Sequence, residues 1–204
     1  MRALLLFTLV VLLGGCPKDE VIKSPFSDDF ERTEIGSNYF NTGASYQIVS
    51  GRLNIKGARN HPLWLKARLP RDAVIEFNAS SRSPEGDIKV EAWGDGQSYA
   101  TADSYVATSY VFILGGWGNS TAALCRLDEH GGDRKERRDV KVEMGRSYSW
   151  KIQRKGNKVE WFLDGKPFLA YDDASPLEGD KHSYFGFNNW ESDLYFDGLK
   201  ITPL

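Results

Sequence analysis

The sequence predicts an all-β fold, a two-sheet antiparallel β-sandwich, and three observations carry that prediction. Short runs with period-two alternation recur from Tyr46 to Ile201, and no stretch of helical period separates them. Turn residues fall between the runs, as in Lys155-Gly156-Asn157 and Asp164-Gly165, where glycine and Asn or Asp tolerate positive φ. The run Tyr110 to Leu114 is apolar on both faces, as a central strand covered on each side requires.

At the N-terminus, Arg2 precedes an uncharged apolar run from Ala3 to Leu13. A run of about eleven residues suits the core of a secretory signal and is short of the roughly 20 needed to cross a membrane. Pro17, Lys18, Asp19 and Glu20 follow at once. Leu13-Gly14-Gly15-Cys16 resembles the lipobox of bacterial lipoproteins, which implies a signal over residues 1–15 and lipid on Cys16. Several acyl chains on one residue anchor stably where a single chain does not. Residues 16–25 then form the lipidated cysteine and a short polar tether, and residues 26–204 the sandwich. The expected location is the bacterial cell envelope. Pro17 replaces the aspartate that would favour the inner membrane in enteric bacteria, so the outer membrane is expected.

The strands are expected at Tyr46 to Ile55, Leu63 to Leu69, Ala73 to Ser80, Asp87 to Trp93, Tyr105 to Leu114 and Ala122 to Asp128. They continue at Val140 to Val142, Ser147 to Arg154, Lys158 to Leu163, Pro167 to Tyr171, Tyr184 to Asn188 and Leu194 to Ile201. Parity puts Tyr148, Trp150 and Ile152 on one face and Val159, Trp161 and Leu163 on another, so Trp150 and Trp161 belong to the core, while Trp64 is ambiguous. The run Asp133 to Asp139 alternates charge and reads as a solvated loop or hairpin tip.

The formal net charge of -2 supplies no basic field for nucleic acid, and none is expected as a partner. Cys125 is left without an intramolecular partner if Cys16 is lipidated, and its apolar surroundings make it a small buried hydrophobe. No Gly-x-Ser-x-Gly elbow is present, and His61, His130 and His182 lack zinc-ligand spacing.

Four segments occur in order: Tyr46-Gln-Ile-Val-Ser-Gly51-Arg-Leu53, Ser149-Trp150 through Trp161-Phe-Leu163-Asp164-Gly165, Tyr184-Phe-Gly-Phe187 and Leu194-Tyr-Phe-Asp197-Gly198-Leu-Lys-Ile201. Together they resemble the concanavalin A-like lectin/glucanase superfamily, nearest to laminin G-like jelly rolls and to the 3-keto-disaccharide hydrolase domain. The resemblance implies a jelly roll over about residues 26 to 203. It also raises the laminarinase-type retaining mechanism, which needs two carboxylates about 5 Å apart. The nearest match to that acid motif, Glu191-Ser-Asp193, has Tyr195 or Phe196 where the third acid belongs. No catalytic residue is therefore assigned, and the enzyme reading stands second to binding.

Tryptophans near strand ends carry the binding reading. Trp93 shares parity with Lys89 and Glu91 before Gly94-Asp95-Gly96, Trp117 sits in Gly115-Gly116-Trp117-Gly118-Asn119, and Trp190 follows Asn188-Asn189. An indole offers the apolar face of a sugar a platform while neighbouring amides and acids take its hydroxyls. The expected ligand-binding residues are Trp93, Trp117, Asn119, Asn189 and Trp190, with a glycan as ligand; the alternative for each indole is a core seal. The resemblance also implies a structural calcium, for which Asp28, Asp29, Asp193 and Asp197 are the candidates. An envelope protein is the remaining partner expected, served by a non-catalytic assembly role.

Overall fold

The computed structural model describes residues 19–102 and 105–204. The signal segment, Cys16 and Pro17 lie outside the described residues. Among the described residues, fifteen strands form two antiparallel sheets. The first sheet runs in the order β13 (Lys166–Asp172), β12 (Lys158–Leu163), β11 (Ser147–Lys155), β6 (Ala73–Ser81), β15 (Asp193–Pro203), β4 (Leu53–Lys56), β3 (Gln47–Ile48), and β1 (Phe26–Asp28) also pairs with β15. The second runs β10 (Lys135–Arg137), β9 (Thr121–Arg126), β8 (Tyr110–Gly115), β7 (Ile88–Gly94), β14 (Tyr184–Asn188), β5 (Leu63–Leu65), β2 (Tyr39–Asn41).

Alternation decides what each sheet buries. β6 and β11 bury every second residue, so Ile75, Phe77 and Ala79 join Trp150 and Ile152 in the core while their neighbours face outward. Trp150 and Trp161 stack with ring centroids 4.4 Å apart, and Phe77 stacks on Trp150 at 5.3 Å. From the other sheet come Val90, Ala92, Tyr110, Phe112, Phe185 and Phe187. Arg154 shares the core-facing parity of β11 and is 1% exposed; it donates to the Leu177 carbonyl at 2.7 Å and lies over the Trp93 ring.

The second sheet differs, because β7 and β8 are buried on both faces throughout. Val111, Ile113, Ala123 and Cys125 form a smaller cluster on its outer face under Tyr105 and Ala107. The expected strand from Tyr105 therefore begins only at Tyr110. Its upstream residues fold over the sheet, and Ala107 donates to the Leu127 carbonyl. Trp64 is also on this outer face. Its ring lies against Gly94 and Gly186, where an added Cβ would come within 2.7 and 2.8 Å of it, and its Nε1 donates to the Ser98 carbonyl.

Other expected elements shift for local reasons. The run Tyr46 to Ile55 breaks at a turn, where Ser50 and Gly51 have φ of 51° and 69°, leaving β3 and β4. Val140 to Val142 is a loop, and the charged run near Asp133 contains β10, an edge strand paired with β9. Charged side chains suit an exposed edge. The Asp164-Gly165 turn has φ of 50° and 73°, the positive pair that a tight hairpin needs.

Candidate functional site

The outer face of β7 builds the floor. Asp87 at its lip, then Lys89 and Glu91, alternate with core-facing Ile88, Val90 and Ala92. Lys89 is 3% exposed and donates to Asn60 Oδ1 at 2.9 Å and Glu129 Oε2 at 2.8 Å. Burial works to lower its pKa, but Asp87, Glu129 and Glu91 around the ammonium outweigh it and hold the pKa above the usual lysine value. Asp87 Oδ2 accepts from the Trp190 backbone N–H at 2.6 Å, and burial pushes its carboxyl up despite Lys89.

Glu91 lies deeper, fully buried, and is pushed up to about 7 by burial, against hydrogen bonds from Ser109, Asn188 and Tyr105. Asn188 Nδ2 donates to Glu91 at 2.8 Å and reaches Asn60 Oδ1 at 3.4 Å. A continuous polar network thus joins Glu91 to the cavity wall.

Two loops raise the walls. Gly115, Trp117, Gly118 and Asn119 all have positive φ, and this left-handed turn presents Trp117 40% exposed at the rim. Asn119 ties the turn down: its Nδ2 donates to the Pro84 and Val142 carbonyls, and its Oδ1 accepts from Val142 N–H. The Arg134 guanidinium lies 4.8 Å from the Trp117 ring centroid and the His130 ring 5.9 Å from it. The second wall is the segment after β14, where Trp190 is 38% exposed. Its carbonyl accepts from Arg59 N–H, and Asn189 Oδ1 accepts from Ala58 N–H. Between the walls lies a cavity of about 420 Å³.

The structure brings Trp117 and Trp190 together on that cavity. It does not bring Trp93 there. Trp93 has φ of 56° and is skipped in the pairing of β7 with β14, where Tyr184 faces Gly94 and Phe185 faces Ala92. This bulge reverses its parity. Trp93 is fully buried in the core, its Nε1 donating to the Pro70 carbonyl, so the seal reading holds for it and the platform reading does not. Asn119 and Asn189 spend their side chains on backbone partners and act as struts of the walls.

The terminal strands do pair, yet the four calcium candidates stay apart. Asp28 lies opposite Leu199 and is bound by Arg32 and Tyr39; burial alone would raise its carboxyl, and these partners hold it below the usual range. Asp29 accepts from Glu31 N–H, Asp193 accepts from Asn54, and Asp197, on the same strand as Asp193, lines a small hollow with Arg52 and Asn78. Among the described residues no three His, Cys, Asp or Glu side chains gather as a metal-binding group. Cys125 is fully buried, and burial pushes its thiol up to about 12. The alternation Asp87-x-Lys89-x-Glu91 was visible in the sequence and marks the floor, whereas Asn60, Glu85 and Glu129 arrive from loops with no local signal.

Solved structures of similar shape cover most of the chain. The carbohydrate-binding module CBM66 from Bacillus subtilis is 13% identical with a TM-score of 0.62, covering 82% of this chain and 97% of that one. The fold is the concanavalin A-like jelly roll. The carbohydrate recognition domain of Emp47p shares it at 12% identity and a TM-score of 0.61, covering 88% of this chain and 95% of that one. A laminarinase from Flavobacterium sp. UMI-01 matches at 10% identity and 0.59, covering 88% of this chain and 100% of that one. Likeness at these identities shows the jelly roll alone. No protein-family model and no curated protein matches the chain.

Proposed function

We propose that the protein is a lipid-anchored envelope protein whose jelly roll binds glycan in the cavity between Trp117 and Trp190. One observation carries the reading: two exposed indoles stand on a cavity of about 420 Å³ that charged and amide side chains also line, built by loops that side-chain hydrogen bonds hold in place. Apolar sugar faces stack on indole, and the carboxylates, Asn60 and Lys89 offer partners for hydroxyls. Neighbours of the same fold that bear carbohydrate-binding names support it.

The test is a screen of the detergent-solubilised chain against an array of neutral, amino and acidic oligosaccharides, following both retention and sugar release. Retention that Trp117→Ala or Trp190→Ala abolishes without lowering the melting temperature is the expected result. Retention of no sugar overturns the reading and leaves a protein partner in the envelope.

A second reading, an enzyme acting on an oligosaccharide, is favoured by the meeting of Asp87 and Glu129 on one cavity. Glycoside hydrolysis needs an acid kept protonated beside a second carboxylate, and burial raises the Asp87 carboxyl in that direction. Released products that Asp87→Asn abolishes would establish it. Anchoring rests on the lipobox-like run ending at Cys16. Labelling of the wild-type chain, but not of Cys16→Ser, by a palmitate analogue is the expected outcome.

A further inference from the structure

The cavity is unevenly charged. Among the described residues, Glu85, Asp87, Glu129 and Glu191 line it, against Lys89 and His130. Two of the four acids have cations of their own: Glu129 is bound to Lys89 at 2.8 Å and Glu191 to Arg59 at 2.8 Å. Asp87 shares the Lys89 ammonium with Glu129, and Glu85 has no cation among the described residues. Asp87 is bonded by a backbone N–H alone, and Glu85 is exposed and makes no hydrogen bond or ion pair among the described residues. The Lys89 hydrogen bonds go to Glu129 and Asn60, so one ammonium serves two of the carboxylates. A further unmet group lies in the same wall: Ser192 is 2% exposed, and its Oγ has no hydrogen-bond partner. Buried polar groups in folded proteins are nearly all partnered, so one left unpartnered in a residue of the cavity wall points to a polar group from outside the chain.

We propose that the cavity selects a glycan bearing free amino groups, a de-N-acetylated hexosamine, with the ammonium seated between Glu85 and Asp87 and the sugar face against the indoles. This rests on the glycan-binding reading above and narrows it. A partly enclosed cavity lined by more carboxylates than cations gains more from an added cation than a solvated surface does. The same carboxylates repel uronate, sialate and sulfate, so the selectivity has a repulsive half as well as an attractive one. Trp117 and Trp190 add to it, because an ammonium close to an indole face is attracted by the ring quadrupole.

The test compares glucosamine oligomers with N-acetylglucosamine oligomers, cello-oligomers and oligogalacturonate of matched length, by calorimetry on the full chain in detergent. Mildly acidic buffer at low ionic strength keeps the amines charged and the screening weak. The expected result is that the free-amine oligomer binds at least tenfold tighter than its acetylated counterpart, that this margin shrinks with added salt, and that oligogalacturonate does not bind. Glu85→Gln, at an exposed position with no partner to lose, is expected to cut the margin several-fold, and Asp87→Asn, which keeps an acceptor for the Trp190 N–H, to remove it. Equal or tighter binding of the acetylated or neutral oligomers overturns the inference and leaves glycan binding standing. A margin untouched by both substitutions also overturns it. Binding of none of the four overturns the inference, and retention of no sugar on the wider array overturns the glycan reading with it.

Discussion

Replacing Glu91 by Gln isolates the one fully buried carboxyl under the cavity. Its pKa is 4.5 in an ordinary setting and about 7 here, because burial outweighs the bonds from Ser109, Asn188 and Tyr105 and the charge of Lys89. Between those values the folded chain keeps a proton that the unfolded chain has released. Stability from this group is therefore full below about pH 4.5, falls as pH rises, and is level again above about pH 7. A shift of this size corresponds to about 3 kcal/mol, or roughly 6 to 12 °C in melting temperature for a domain of this length. The groups facing Glu91 are Lys89 on its own strand, Asn188 on β14, and Tyr105 and Ser109 from the covering segment. Glutamine has the shape of the protonated acid: its carbonyl accepts from Asn188 and its amide meets the Ser109 hydroxyl, which can rotate to accept. The assay is thermal unfolding of both chains from pH 4 to 8. The difference, variant minus wild type, is expected near zero at the acid end and to climb toward about 3 kcal/mol at the alkaline end. Taking the difference cancels Asp87, whose raised carboxyl acts in the same sense. Parallel curves, or a variant less stable than wild type above pH 7, would refute the reasoning.

Trp93→Ala is expected to lose about 3–5 kcal/mol by emptying a core site, and Trp117→Ala and Trp190→Ala no more than about 1 kcal/mol each at their partly exposed positions; denaturant titration separates the two outcomes. Trp161→Phe is expected to cost far less than Trp161→Ala, because the Trp161 Nε1 is buried without a partner and its removal recovers part of the lost packing; a calorimetric comparison of the pair checks this. Lys89→Met leaves Glu129 and Asn60 facing a greasy side chain and is expected to cost about 3–5 kcal/mol. Adding Glu129→Gln to it is expected to return part of that loss, which a double-mutant cycle measures.

Where local chemistry determined the outcome, the sequence was readable. The parity of Trp150 and Trp161, the Asp164-Gly165 turn and the two-faced burial of β8 each follow from residues within a few positions of one another, and each is found as expected. Trp93 fails for a local reason that parity counting cannot see: one residue of positive φ inserted in β7 turns its ring from the outer face to the core. Trp117 and Trp190 share one cavity although seventy-odd positions separate them, because β7 and β8 are neighbours and β14 lies on the other side of β7. That adjacency belongs to the strand order, which the sequence does not spell out. The acids show the same division more sharply. Asp28, Asp29, Asp193 and Asp197 were grouped because they lie near the two ends of the chain, and the ends do meet. Asp28, Asp29 and Asp193 are nevertheless each held by a different partner and Asp197 lies in a separate hollow, while Glu85, Asp87 and Glu129, which no motif gathers, converge. Convergence on a sheet's outer face is set by which loops reach over it, so the charge of this cavity had to be read from the fold. Its chemistry is still carried by single residues, and Glu85, exposed and without a partner among the described residues, is the one whose removal disturbs the fold least.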